Sequence, residues 1–133
     1  MREIKFRGKC IMISLFYEWV EGSYLVFENS GIATHQIKIC EGKAKGDFVA
    51  VDGETIGQFT GLCDKNGKEI YEGDIVKAYV FEDGAMYVCK WDKESLCFKF
   101  YSISNPRGYM YITDIDNIEV VGNIFDDIEL LKQ

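Results

Sequence analysis

The sequence predicts a mainly β protein, and three observations predict it. Valine, isoleucine, tyrosine and phenylalanine recur in short runs. Such β-branched and aromatic residues fit a pleated, half-buried surface. Glycine-bearing turns separate the runs. One long stretch, residues 74–101, reads DIVKAYVFEDGAMYVCKWDKESLCFKFY and alternates apolar with polar positions around turn residues. The chain has 133 residues, 47% of them apolar and 28% charged, enough for a core and a soluble surface. A single proline and the lack of low-complexity tracts exclude long disordered segments as an expectation.

The first half holds five strand-like runs, REIKF, IMISLFY, SYLVF, HQIKI and DFVAV. On this N-terminal strand Lys5, Arg7 and Lys9 alternate with Ile4 and Phe6, which makes a basic stripe on one side of it. The stripe suits either a phosphate-contacting edge or, more commonly, a solvated edge that lysines protect from pairing. The run CIMISLFY is too short to span a membrane. Arg2, Lys5, Arg7 and Lys9 before it resemble a secretion signal, but Glu3 interrupts them and no small-residue cleavage site follows.

In residues 74–101, Asp83-Gly84 predicts a two-residue hairpin loop. That register sets Val80 opposite Tyr87, Ala78 opposite Cys89 and Val76 opposite Trp91. A turn at residues 92–95 then sets Leu96 opposite Trp91 and Phe98 opposite Cys89. One face carries Val76, Ala78, Val80, Tyr87, Cys89, Trp91, Leu96, Phe98 and Phe100 as an inner layer. The other carries Lys77, Tyr79, Phe81, Met86, Val88, Lys90, Cys97, Lys99 and Tyr101. Its Tyr79–Phe81–Met86–Val88 corner is too apolar for a simple solvated surface. Packing beneath the N-terminal half is the commoner reading, and a partner-binding patch the sharper one. After the loop Asn105-Pro106-Arg107-Gly108 come short strands near 109–112 and 118–121. Asp126 as N-cap, with Glu129 three residues on, predicts one short terminal helix.

The stretch GQFTGLCDKNGKEIYEGDIV, residues 57–76, invites two chemical readings and fails both on spacing. A phosphate loop needs four residues between its glycine and Gly-Lys; Gly61 and Gly67-Lys68 have five, and Glu69 follows. A calcium loop needs glycine at its sixth position; counted from Asp64, glycine comes fourth. Residues 64–68 instead suit a type I turn with Gly67 in the left-handed region, and residues 72–74 a second tight turn.

The same stretch, extended by Lys77, resembles the central motif of the YopX family of small phage and prophage proteins. The start, REIKFRGK, and the end, EVVGNIFDDIELL, resemble that family's ends, so the likeness covers nearly the whole chain. Cys63 departs from a usually polar position, and Asp126-Asp127 stand where the family tends to have Asn and Pro. The resemblance implies an N-terminal β-hairpin region, residues 1–56, packed on a C-terminal SH3-like barrel with a short helix, residues 57–133. It brings no established activity.

The remaining chemistry is sparse. Five cysteines, at 10, 40, 63, 89 and 97, form no CxxC pair, so neither a zinc knuckle nor a redox motif is expected. All five are expected reduced, with Cys89 and Cys97 on opposite faces and unbridged. His35 is the single histidine, and a Cys–His nucleophile would need it beside a thiol. Asp114, Asp116, Asp126 and Asp127 suit capping and solubility more than a cation. The net charge of −7 repels nucleic acid at long range. The expectation is a non-enzymatic cytoplasmic phage or prophage accessory protein that binds another macromolecule, a protein ahead of nucleic acid. It carries no cofactor or membrane anchor, and a homo-oligomer stays open. Its candidate partner surface is Lys5, Arg7, Lys9, Tyr79, Phe81 and Met86. The alternatives are nucleic-acid binding by the basic strand with exposed aromatics and, remotely, a cysteine- or carboxylate-dependent hydrolase.

Overall fold

The structure, a computed structural model, describes residues 2–12, 18–79, 84–112 and 117–132. It is mainly β, with two antiparallel sheets. By compactness it divides into two units, Met1–Phe59 and Thr60–Gln133.

The N-terminal unit is built from β1 (Phe6–Lys9), β2 (Trp19–Asn29), β3 (Ile32–Ile39), β4 (Phe48–Ala50) and the start of β5 (Gly57–Cys63). The strands lie in the order β4-β3-β2-β1-β5. The long β2–β3 hairpin pairs from Gly22↔Ile39 to Asn29↔Ile32. Its tight turn uses Ser30 and Gly31, both at positive φ. The core side gathers Val20, Ile37, Ile39 and Val51, with Phe6, Tyr24, Val49 and Ile56 packed against them. Most of IMISLFY, residues 13–17, lies outside the described residues.

β1 pairs with β2 on one side and β5 on the other. The basic strand is therefore interior to its sheet. An exposed edge, whether for phosphate or for lysine protection, is not what these residues form.

The C-terminal unit holds the rest of β5 with β6 (Glu69–Tyr71), β7 (Asp74–Ala78), β8 (Ala85–Asp92), β9 (Cys97–Ser102), β10 (Tyr109–Tyr111), β11 (Ile118–Asn123) and a 3-10 turn, Ile128–Lys132. Five strands form a sheet in the order β10-β9-β8-β7-β11. That order is compatible with an SH3-like barrel, but the described pairs leave the sheet open. Its core is Ile70, Val76, Ala78, Tyr87, Cys89, Phe100, Ile112, Ile118 and Val120.

Both central hairpins differ from the expected register. β7 stops at Ala78 and β8 starts at Ala85, with Val76↔Tyr87 and Ala78↔Ala85 paired. The connection is six residues long, not two, and Asp83 with Val80–Glu82 falls outside the described residues. In the next hairpin Trp91 pairs with Phe98 and Asp92 with Cys97. The connecting turn is residues 93–96, and Leu96 takes φ 55 within it. Leu96 is consequently 72% exposed and Trp91 45%, so neither belongs to the core. Each shift is an even number of residues. The strand period is two, so an even shift changes neighbours and keeps faces. Val76, Ala78, Tyr87, Cys89 and Phe100 are accordingly buried as expected. Cys97 stays off the Trp91 face, and all five cysteines are free.

The motif at 57–76 is structural in detail. Gly67 has φ 82 and Gly73 φ 93, as the two turns require. Asp64 is buried, and its carboxylate accepts the backbone N–H groups of Asn66 (2.8 Å), Lys68 (2.9 Å) and Val120 (2.9 Å). Asp74, 1% exposed, accepts the Tyr71 N–H at 2.8 Å. Two aspartates thus staple two turns, and one of them ties its turn to β11.

The terminal helix is a 3-10 turn that starts at Ile128, two residues past the expected cap. Asp126 instead accepts from the Asn123 side-chain amide (3.2 Å), and Asp127 from the Asn123 backbone N–H (3.0 Å). Both carboxylates fasten the turn after β11. Asp114 and Asp116 lie outside the described residues.

Candidate interaction surface

The most organised polar and aromatic grouping lies on the outer face of β8, β9 and β10. The β9–β10 connection is fixed by local hydrogen bonds. Ser102 N–H donates to the Gly108 carbonyl (2.8 Å), Asn105 N–H to Ser102 Oγ (3.1 Å) and Arg107 N–H to Asn105 Oδ1 (3.1 Å). That turn sets Tyr109 opposite Tyr101, Met110 opposite Phe100 and Tyr111 opposite Lys99. Alternation then sends Met110 and Phe100 to the core and leaves Tyr101, Tyr109, Tyr111 and Lys99 on the other face.

Lys99 is the centre of this face. It is only 6% exposed. Its Nζ lies 2.6 Å from Asp92 Oδ2, 4.4 Å from the Tyr109 ring centroid and 5.0 Å from that of Tyr111. A buried ammonium needs a counter-charge, and Asp92 supplies it. The two rings add their negative faces. They meet edge to face, with centroids 5.8 Å apart and planes at 87°, and Tyr101 lies 6.4 Å from Tyr109. Tyr109 stays 50% exposed and Tyr111 41%. The hydrogen bond from Lys99, helped by Ser95 and by the Glu94 N–H, holds the Asp92 carboxyl down at about 2. The same bond raises Lys99. Burial raises the Tyr101 phenol. The arrangement makes no nucleophile. It presents three aromatic side chains in fixed positions around a neutralised charge.

The residues singled out from sequence are placed differently. Lys5 is 5% exposed, with its Nζ 5.1 Å from the Phe59 ring centroid and 3.4 Å from Glu3. Arg7 stacks 4.9 Å over Trp19, and Lys9 lies 3.6 Å from Glu18. Arg7 and Lys9 share one face of β1 and Lys5 immediately precedes the strand, each beside an aromatic or acidic neighbour. In the other unit Tyr79 is 44% exposed, donates its O–H to Glu119 (3.1 Å) and lies under Lys65 at 4.4 Å. Met86 is half-buried and lines a groove of about 590 Å³ with Lys77, Ile103, Val121 and Leu130. Phe81 falls outside the described residues. His35 Nδ1 lies 2.6 Å from the Tyr24 hydroxyl, and the two rings stack at 12°. No group of three His, Cys, Asp or Glu side chains among the described residues is placed to hold a metal. Among the described residues no helix is long and apolar enough to cross a membrane.

The YopX family model matches residues 6–132. The chain belongs to the YopX family. That match spans nearly the whole sequence, including both turn-stapling aspartates and all three tyrosines. The YopX chain is also similar to the crystal structure of protein EF1440 from Enterococcus faecalis, at 22% identity and a TM-score of 0.50. The likeness covers 98% of this chain and 99% of that one. At such identity it bears on the fold alone. No curated protein matches.

Proposed function

We propose that this YopX-family chain is a non-enzymatic accessory protein of phage or prophage type, working in the bacterial cytoplasm by binding another protein. The observation that supports the reading is the Tyr101–Tyr109–Tyr111 face over the Lys99–Asp92 pair. Tyrosines supply large amphipathic contact area with only two side-chain torsions to fix, and they are enriched among residues that dominate binding energy. Here Lys99 already restrains the rings, so a partner meets them with little ordering left to do. The basic strand offers less, because Lys5, Arg7 and Lys9 are engaged within their own unit.

The test is affinity capture from host lysate with the wild-type chain and with a Tyr109→Ala/Tyr111→Ala variant of unchanged circular dichroism. A defined protein retained by the wild type and lost from the variant is the expected result. Equal retention by both, or capture of nucleic acid that nuclease removes, sinks the proposal.

A further inference from the structure

In the N-terminal unit the β2–β3 hairpin outruns its sheet. β1 reaches β2 only as far as Gly22, and β4 reaches β3 only as far as Gln36. Val51 N–H still donates to the His35 carbonyl at 3.0 Å, but among the described residues the pairs Phe27↔Thr34, Glu28↔Ala33 and Asn29↔Ile32 have no third strand beside them. A two-stranded ribbon standing alone in water is marginally stable, and one that persists usually leans on something.

The ribbon's side chains are wrong for solvent. Phe27 is 51% exposed and Ile32 69%, and alternation places both on the face away from the core, next to half-buried Leu25. Val26, 52% exposed, is apolar on the reverse side. Around them stand Glu28, Asn29, Ser30, Thr34 and Gln36, an apolar centre with a polar rim, which is the anatomy of a protein interface. Residues 22–37 contain no lysine or arginine and one acidic residue, Glu28, in a chain of net charge −7.

The geometry points to a second copy of this chain as the occupant, paired ribbon to ribbon about a two-fold axis near Phe27 and Ile32. A foreign partner selected against a −7 surface would be basic and would be drawn to the acidic regions, which this ribbon avoids. A patch without charge is complementary to itself, and an isologous contact sets each apolar side chain against its own kind. Repulsion between the two acidic bodies is weak across a charge-poor ribbon, because screening acts within about 8 Å at physiological salt. Phe27 and Ile32 expose roughly 200 Å² of apolar surface per copy, a suitable centre for an interface of about 800 Å² per partner whose remainder is polar rim.

The experiment is sedimentation equilibrium on the full chain across the micromolar range. The expected mass is twice 15.2 kDa. Phe27→Asp and Ile32→Asp, both at exposed positions, should each give the monomer mass with unchanged near-UV circular dichroism. A nitroxide at Ser30→Cys, in a chain whose exposed Cys63 is replaced by serine, provides the second measurement, and a short discrete spin–spin distance between copies is expected. A wild-type monomer at every concentration overturns the inference. So does a dimer that survives both aspartates, or a labelled dimer without a short distance. None of these outcomes bears on the tyrosine face, which lies in the other unit.

Discussion

The two units solve the same problem, ordering short strands, by different means. The N-terminal unit relies on close backbone approach. Among the described residues its buried apolar cluster is Val20, Ile37, Ile39 and Val51. Gly8, Gly22 and Gly53 each sit where a Cβ would come within 3 Å of another atom. Among the described residues the C-terminal unit has a core cluster of nine and buries three charges, Asp64, Asp74 and Lys99, where the N-terminal unit buries Lys5. Each of these charges has polar partners within its own unit, so burial there fixes turns and register rather than merely costing desolvation. The difference teaches where each unit is vulnerable: the first to added volume, the second to lost acceptors.

Gly22→Ala should have the largest effect. A Cβ there would come 1.8 Å from the Lys38 carbonyl oxygen and 3.1 Å from the Cys40 nitrogen. Those are backbone atoms of the neighbouring strand, so relief requires breaking β2–β3 pairing at its base. The expected loss is at least about 3 kcal/mol, in the range of severe overpacking. Urea denaturation followed by tryptophan fluorescence, from Trp19 and Trp91 together, measures it. A loss of under about 1 kcal/mol would show that the strand approach is adjustable and would break the contrast between the units.

Asp64→Asn tests the other side. The carboxylate accepts three backbone N–H groups, and an amide in its place turns a donor toward donors. The expected loss is about 2–3 kcal/mol, since hydrogen bonds to a charged group outweigh neutral ones and a buried donor is left unmet. Burial alone would raise this carboxyl, but the amides of Val120, Lys68 and Asn66 outweigh it and hold it below its ordinary value. A depressed carboxyl stabilises the fold above its unfolded pKa, near 3.9, and that stabilisation fades as pH falls through the folded value. The gap between wild type and Asp64→Asn in urea midpoint should therefore be wide at pH 7 and narrow toward pH 3. A gap independent of pH would show that the geometry of the side chain, not its charge, secures the turn.

The sequence made the faces legible and the neighbours illegible, for one reason. Alternation reports parity. An expected register off by four in one hairpin and two in the next still sends Val76, Cys89 and Phe100 inward. It cannot report loop length, and Leu96 in a left-handed turn conformation carries no glycine to announce it. The same two-residue shift concealed the centre of the tyrosine face. With Leu96 opposite Trp91, Lys99 would lie opposite Val88, remote from Asp92. With Cys97 opposite Asp92, Lys99 becomes its diagonal neighbour, within reach of a long side chain. Tyr101 was visible as an exposed aromatic, but its partnership with Tyr109 depends on β10 pairing, which no local pattern specifies. Arg7 and Lys9 alternate onto one side of β1, but that strand pairs on both sides and is not an edge. Residue type alone does not tell an interior strand, whose lysines lie along aromatic rings, from an exposed one.

The smallest expected effect sharpens the comparison most, because it asks whether a buried charge can set a surface. Asp92 titrates at about 2 in the folded chain, well below the ordinary value of 3.8, first because Lys99 donates to it. Lys99 is raised above 10.5 by the same bond. The depressed carboxyl contributes fully above its unfolded pKa and loses its contribution as pH falls through about 2. The raised ammonium contributes fully below its unfolded pKa and loses it as pH rises through the folded value. The clamp on Tyr109 and Tyr111 should thus hold unchanged from about pH 4 to about pH 10. A carboxyl-carbon NMR titration should give Asp92 a midpoint below 3, and the near-UV circular dichroism of the tyrosines should stay flat across that window. Asp92→Asn removes the counter-charge, and its tyrosine signal at pH 7 should differ from that of the wild type. A midpoint near 4 for Asp92, or a tyrosine signal indifferent to Asp92→Asn, would mean that the rings hold their places by packing alone. The contrast between a unit shaped by volume and a unit shaped by charge would then stop short of the surface proposed to bind.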